Sequence, residues 1–220
     1  MAIVLKPHEL RVLGVLIEKS MTTPEYYPLT LNAITLACNQ KNNRDPVTSL
    51  TEGEVGAALH GLTQWQLASQ ADPDRGSRVN RFRHEVEKRF GWDSPQRAIM
   101  AELMLRGPQT LGELKSRASR MTPLTAMDHL QGVIDELRRC DPPMVTELPR
   151  QPGQSTTRFA QLLGGEVTAF APTMAEPPSA SPGPTAPRAA SPSLEARVAR
   201  LEERIAEMDA RLRSLEPGSG

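Results

Sequence analysis

The stretch Thr51-Glu-Gly-Glu54-Val55-Gly-Ala-Ala-Leu59-His60-Gly-Leu62-Thr-Gln64-Trp65 opens on a threonine with a glutamate three residues later. That spacing is a capping box. The hydroxyl accepts from a free N–H of the first helical turn, and the glutamate reaches back to the threonine N–H. Val55, Leu59 and Leu62 then recur at helical spacing, so the stretch predicts a helix with those three inward. Upstream, Leu10, Leu13, Leu16 and Ile17 predict a first helix over about 7–20, with Pro7 suited to its first turn. A second helix follows Pro28, with Leu31, Ile34, Leu36 and Ala37 apolar, and the polar run 39–46 separates it from the third. After Trp65 two strand-like runs flank the turn Asp72-Pro-Asp-Arg-Gly76. Three helices followed by a hairpin is the winged-helix order.

The order then returns. Ser94-Pro95 opens a helix with Ile99, Leu103 and Met104, which stops at Gly107-Pro108. Thr110 and Glu113 form a second capping box, ahead of Leu111, Leu114 and Ala118. A third helix from about 125 carries Leu130, Ile134 and Leu137, and a hairpin runs from Met144 to Leu162 around Pro152-Gly153. Leu13 and Leu16 match Met100 and Leu103 at an offset of 87, and Thr30-Leu31 match Thr110-Leu111 at 80. Val55, Leu59 and Leu62 match Leu130, Ile134 and Leu137 at 75, and Arg81-Phe82 match Arg158-Phe159 at 77. The offset changes only between elements, as loop-length differences require. The expectation is a mainly α chain with small β wings: two tandem winged helix-turn-helix domains, 1–91 and 92–164, each with its own core.

Residues 165–192 hold 7 Pro, 7 Ala and 3 Ser in 28 positions and no apolar periodicity, which predicts a disordered linker. Beyond it, 193–216 reads as a coiled-coil helix. Val198, Ile205 and Leu212 take position a, while Leu194, Leu201, Met208 and Leu215 take d. Every g position is Arg (Arg197, Arg204, Arg211) and every e position is acidic (Glu195, Glu202, Asp209, Glu216). A parallel pair sets g against the partner's next e and joins opposite charges, whereas an antiparallel pair stacks like charges. These residues therefore predict a parallel homodimer; the competing reading is a lone amphipathic helix docked on its own heads.

Charge is balanced, 26 basic against 26 acidic residues. Residues 1–91 carry 11 and 10, and 92–164 carry 9 and 8, so neither half has the positive excess of a protein that coats nucleic acid. Cys38 and Cys140 make no disulfide framework and fit a reducing compartment. The N-terminus lacks the pattern of a signal peptide, and no apolar stretch reaches membrane-spanning length, so the expected location is the cytoplasm without membrane association.

The run Thr22-Thr-Pro-Glu-Tyr-Tyr-Pro-Leu-Thr-Leu-Asn32, continuing through Ala37-Cys-Asn-Gln-Lys-Asn-Asn-Arg-Asp-Pro-Val47, resembles the YceH family of bacterial proteins. So does Gly112-Glu-Leu-Lys-Ser-Arg-Ala-Ser-Arg-Met121. The resemblance covers about residues 5–165 and implies a pair of winged-helix domains in a bacterial cytoplasmic protein. It implies no particular activity.

Catalysis finds little support. His8, His60, His84 and His129 are dispersed, no metal-ligand spacing or phosphate loop is present, and most acidic residues fall at helix starts. No enzyme activity, cofactor or metal is expected. Arg75, Arg78, Arg81 and Arg83 crowd one wing, where guanidinium groups meet DNA phosphates. Arg81 and Arg158 recur identically before Phe, which favours a structural role for those two. In the loop after the second helix, Lys41 and Arg44 are candidates for phosphate, and Asn39, Gln40, Asn42 and Asn43 for bases or a peptide backbone; the competing reading is an Asn-rich loop that caps its own backbone. His60 and Gln64 are the candidates for base reading on the third helix. Against them, Glu52 and Glu54 open that helix and Asp128 its repeat. The leading expectation is a dimeric DNA-binding or regulatory protein that meets double-stranded DNA through Lys41, Asn42, Asn43, Arg44, His60, Gln64, Arg75, Arg78 and Arg83. The alternative is a tandem winged-helix scaffold that binds a protein partner, like chromosome-segregation accessory proteins.

Overall fold

The structure is a computed structural model that describes residues 3–71, 79–124, 126–150 and 156–165. The chain divides into two units, 1–171 and 172–220, and all described residues belong to the first. The expected coiled-coil helix and most of the expected linker lie outside the described residues.

Helix α1 spans Pro7–Thr22; Pro7 occupies the first turn and the Lys6 N–H donates to Glu9 Oε2 at 2.7 Å. A single 3₁₀ turn, Pro24–Tyr26, leads to strand β1, Leu29–Thr30, and α2, Leu31–Cys38. After the loop 39–50 comes α3, Glu52–Gln64, with the capping box in place: Thr51 Oγ1 accepts from the Glu54 N–H at 3.3 Å and the Thr51 N–H donates to Glu54 Oε2 at 2.8 Å. Strands β2, Ala68–Gln70, and β3, Arg81–His84, come next. Strand β3 lies between β1 and β2, antiparallel to both, pairing Leu29 with Phe82 and Gln70 with Phe82 on its two edges. A short helix α4, Val86–Phe90, ends at Gly91 (φ +70), a left-handed position that suits glycine. Its five residues are too few for periodicity to reveal in sequence.

The second half repeats the first. Helix α5, Ser94–Arg106, is capped by Asp93, whose carboxylate accepts from the Gln96 N–H at 2.8 Å, and it stops at Gly107 (φ +72). Then come α6, Leu111–Ala118, α7, Met127–Arg139, and the antiparallel strands β4, Val145–Leu148, and β5, Arg158–Gln161. Thr110 caps α6 as Thr30 caps α2. Gln109 bridges Phe159 as Leu29 pairs with Phe82. The Arg81 guanidinium donates to the Pro28 carbonyl at 2.9 Å, and the Arg158 guanidinium donates to the Pro108 carbonyl, also at 2.9 Å. Each arginine therefore ties its strand, β3 or β5, to the residues preceding the second helix of its half.

The two halves do not keep separate cores, as the sequence led one to expect. Residues 11–18 of α1 and 98–105 of α5 are buried without interruption, so neither helix has a solvent face over that length. The two helices pack on each other, and one apolar cluster runs from Val12, Leu13 and Leu16 through Ile99, Met100 and Leu105 to Leu130 and Ile134. Gly14 sits at this contact. A Cβ there would lie 3.0 Å from Leu105 Cγ and 3.2 Å from Met104 Cβ. Two backbone hydrogen bonds reinforce the union, Asp45 N–H to Leu105 O at 3.0 Å and Leu5 N–H to Leu163 O at 2.7 Å. Gly14→Val should overpack the contact and lower unfolding free energy by about 1–3 kcal/mol. Urea denaturation measures it, and a loss of cooperativity between the halves is the accompanying sign.

His84 fastens β3 to α1. Its Nε2 lies 2.9 Å from Ser20 Oγ, and the Ser20 hydroxyl already donates to the Ile17 carbonyl at 2.7 Å. The imidazole must therefore be the donor, which leaves Nδ1 as a bare lone pair, buried and without a hydrogen-bond partner. Burial disfavours the imidazolium and pushes the His84 pKa down to about 4 from its ordinary 6.5. The unfolded chain then takes up the proton first, so stability falls as pH drops from 6.5 towards 4. The native protein should lose about 2 kcal/mol more between pH 7 and pH 5 than the variant His84→Asn. Equal losses for both proteins in urea titrations at the two pH values would contradict this.

Candidate nucleic-acid and partner interface

The sequence-predicted site divides into residues turned inward and residues left outside. Arg44 turns inward. Its side chain is fully buried and grips the Glu18 carboxylate with both ends of the fork, Nη1–Oε1 at 3.0 Å and Nη2–Oε2 at 2.5 Å. Its Nε donates to the Ala37 carbonyl at 3.0 Å, and Nη2 also donates to Gln40 Oε1 at 3.1 Å. A guanidinium held this way is not offered to a phosphate. The expected phosphate contact at Arg44 is thus corrected: the group organises the loop that carries it.

Asn43 has the same character. It takes a left-handed conformation (φ +61), which asparagine tolerates, and its side-chain oxygen accepts a hydrogen bond from Arg106 at the end of α5. Asn39 clips the far end of the loop. Its Oδ1 accepts from the Leu50 N–H at 2.7 Å and its amide donates to the Leu50 carbonyl at 2.8 Å. The amide-rich loop mainly satisfies its own backbone. Lys41 and Asn42 alone of the predicted loop residues are exposed.

On α3, His60 and Gln64 are both exposed and bonded to each other, the Gln64 amide 3.0 Å from His60 Nε2. Arg83 is half exposed, and its Nε is shared between Ser69 Oγ at 3.2 Å and Glu85 Oε1 at 3.0 Å. Burial acts against the Glu85 carboxylate, yet hydrogen bonds from Lys88, Ser69 and Arg83 bring its pKa down to about 2. Arg75 and Arg78 lie outside the described residues, as do Leu194, Val198, Leu201, Ile205, Met208, Leu212 and Leu215. The structure does not bring the predicted residues together into a continuous basic surface among the described residues.

It does assemble a cluster that the sequence did not announce. Glu18 of α1 and Glu102 of α5 are both buried, with 1 % and 0 % of their side chains exposed. Arg120, just beyond α6, bridges them: Nη2 lies 2.6 Å from Glu18 Oε1 and 2.7 Å from Glu102 Oε1. Arg106 adds a charge contact to Glu102 Oε2 at 3.3 Å. Arg44, Glu18, Arg120, Glu102 and Arg106 thus form one chain of alternating charge across the α1–α5 contact, with Asn43 closing the far end. Burial opposes ionisation of Glu18, but hydrogen bonds and charge from Arg44 and Arg120 hold its pKa below the usual carboxylate range. Arg120 is likewise disfavoured by burial, yet the two glutamates raise its pKa.

No sequence signal marks these partners, since they lie 26, 18 and more residues apart. The one clue is a charged residue inside an otherwise apolar helix, as with Glu18 and Glu102.

Among the described residues no group of three or more His, Cys, Asp and Glu side chains could hold a metal ion. No described helix is long and apolar enough to cross a membrane.

The molecule so defined is mainly helical, with small antiparallel sheets and a duplicated helix–hairpin order. Residues 5–154 match the family described as "Protein of unknown function, DUF480", and the chain belongs to that family. It is 53 % identical over 178 residues to a UPF0502 protein of Geobacter sulfurreducens, covering 81 % of this chain and 80 % of the relative. A UPF0502 protein of Geotalea daltonii is 47 % identical over 203 residues, covering 92 % and 89 %, and one of Mesorhizobium japonicum is 44 % identical over 212 residues, covering 96 % of each. The family is bacterial and uncharacterised, which matches the class implied by the sequence resemblance.

Removing one partner of a buried ion pair strands the other charge. Arg44→Met should therefore cost about 3–5 kcal/mol in unfolding free energy. Lys41→Ala, on the exposed side of the same loop, should stay within about 0.5 kcal/mol. Denaturant titration separates them, and an Arg44→Met protein as stable as the native one would return Arg44 to the surface.

Proposed function

We infer that this protein is a non-enzymatic scaffold of the bacterial cytoplasm, built from two tandem winged helix-turn-helix units whose exposed faces bind polypeptide. A parallel coiled coil over 193–216 joins two copies. The observation that carries the reading is the destination of the cationic side chains. Arginines of the loop 39–50, of the strands, of α5 and of α6 are bound to carboxylates or carbonyls of their own chain: Arg44 to Glu18, Arg81 to Pro28, Arg97 to Glu87, Arg117 to Glu113 and Gln109. The helices that would enter a DNA groove open on Glu52 and Glu54 in one half and Asp128 in the other, acidic groups that a phosphate-lined groove repels. Large apolar side chains stand exposed instead, Tyr26 at 69 % and Leu36 at 68 %.

DNA binding keeps a specific argument of its own. Lys41, Asn42, His60 and Gln64 are all exposed, and Lys41 carries charge with no acidic partner among the described residues. Arg75 and Arg78 complete that reading. The two differ in salt dependence, because log affinity falls with log salt at about 0.9 per phosphate contacted. Fluorescence anisotropy on random and genomic duplexes should show no binding at physiological salt, and a slope at low salt below about 2. Binding with a slope near 4, flattened by Arg75→Ala with Arg78→Ala, would put DNA in place of polypeptide.

The coiled coil has a separate test. Deleting residues 193–220, or introducing Ile205→Asp into the seam, should lower the mass seen by light scattering from dimer to monomer. Three heptads give a marginal helix pair, so the native dimer should dissociate on dilution. A dimer that survives both changes places the contact elsewhere.

A further inference from the structure

An apolar groove of about 770 Å³ opens on the body of the molecule, walled by Phe90, Met144 and Leu163 and edged by Arg89, Cys140 and Gly165. The Arg89 guanidinium stands over the Phe90 ring, 5.6 Å from its centroid. Gly165 is the last described residue, so the chain leaves the body from the groove itself. The chain continues as Glu166-Val-Thr-Ala-Phe170-Ala171, and the compact unit closes at Ala171, immediately before the proline-rich stretch begins at Pro172. Val167 and Phe170 are the only large apolar side chains between Leu163 and Met174, and Phe170 is the only aromatic residue after Phe159.

We propose that the groove is the docking site of the chain's own segment 166–170, with Val167 and Phe170 against its apolar wall and Glu166 facing Arg89. Reach is no obstacle, since five residues extend to about 17 Å. Two features favour this segment over a foreign one. It is covalently delivered to the groove's edge, which raises its effective concentration. Its single acidic residue, Glu166, is also opposite in charge to Arg89 of the groove. The segment would then end the folded body, and the tether would start from Pro172 and not from the hairpin. This proposal stands independently of whether the protein binds polypeptide or DNA.

Cys140 provides the test, because it lines the groove while Cys38 is buried and its thiol is pushed up to about 12 by that burial. In the full chain carrying Phe170→Cys, mild oxidation should form a disulfide with Cys140 within one molecule, running as a monomer on a non-reducing gel. The control Thr173→Cys should close at least about tenfold more slowly, since a merely tethered thiol would not distinguish the positions. Val167→Asp with Phe170→Asp should leave the fold intact and speed labelling of Cys140 by a thiol reagent about tenfold, by undocking the segment. Disulfide-linked dimers would assign the groove to a second copy. Equal closure from both positions, or unchanged labelling, would leave the groove without this occupant. Each of these results overturns the proposal.

Discussion

Two glutamates buried between two helices set the terms for the rest of this structure. Glu18 and Glu102 belong to α1 and α5, the first helices of the two halves, which are buried over most of their length and lie against each other. An unpaired carboxylate there would carry a penalty of several kcal/mol, so each must find a cation. Arg44 meets Glu18 from the first half, and Arg120 meets both glutamates from the second. The pairs do not make the contact favourable by themselves; burial of the surrounding leucines, isoleucines and methionines does that. They restrict how the contact can form, because sliding or rotating α1 on α5 separates Arg120 from Glu18 and Arg106 from Asn43, the contacts of this network that cross between the halves. Buried polar networks are often credited with this kind of specificity, and here the network spans the junction of the repeat.

The same requirement accounts for the shape of the loop 39–50. To bring Arg44 under α1, the chain turns through a left-handed Asn43 and is clipped shut by Asn39 on Leu50. The equivalent turn in the second half, 119–126, is shorter, and its arginine, Arg120, is only partly buried. It bridges the two glutamates, where Arg44 grips one. The two halves therefore share helices, caps and the arginine that ties strand to proline carbonyl, but differ where they meet each other. Duplication supplied the frame, and the interface between the copies is where they diverge.

A structural role for so many arginines bears on function. A basic residue in sequence counts as a potential phosphate ligand only if its charge reaches solvent. Arg44, Arg81 and Arg158 fail that condition in part or whole, and Arg83, Arg97 and Arg117 share their charge with neighbouring carboxylates.

The local signals were legible in the sequence and proved reliable. Capping boxes at Thr51–Glu54 and Thr110–Glu113 mark true helix starts, Gly107 marks a true stop, and the repeat offsets align real elements. These depend on interactions among residues within a few positions of one another, which spacing alone reveals. The structural reading of Arg81 and Arg158 also came from sequence, because repetition at one place in both halves indicates a shared frame. What the sequence could not reveal is which face of α1 and α5 meets the other half. Helices that are apolar nearly all round carry no periodic mark of a second contact, so the two halves read as separate cores. Nor could it reveal the direction of Arg44. Whether a guanidinium points to solvent or beneath a helix depends on a carboxylate 26 residues away, and only the packing of the loop 39–50 against α1 brings the two together.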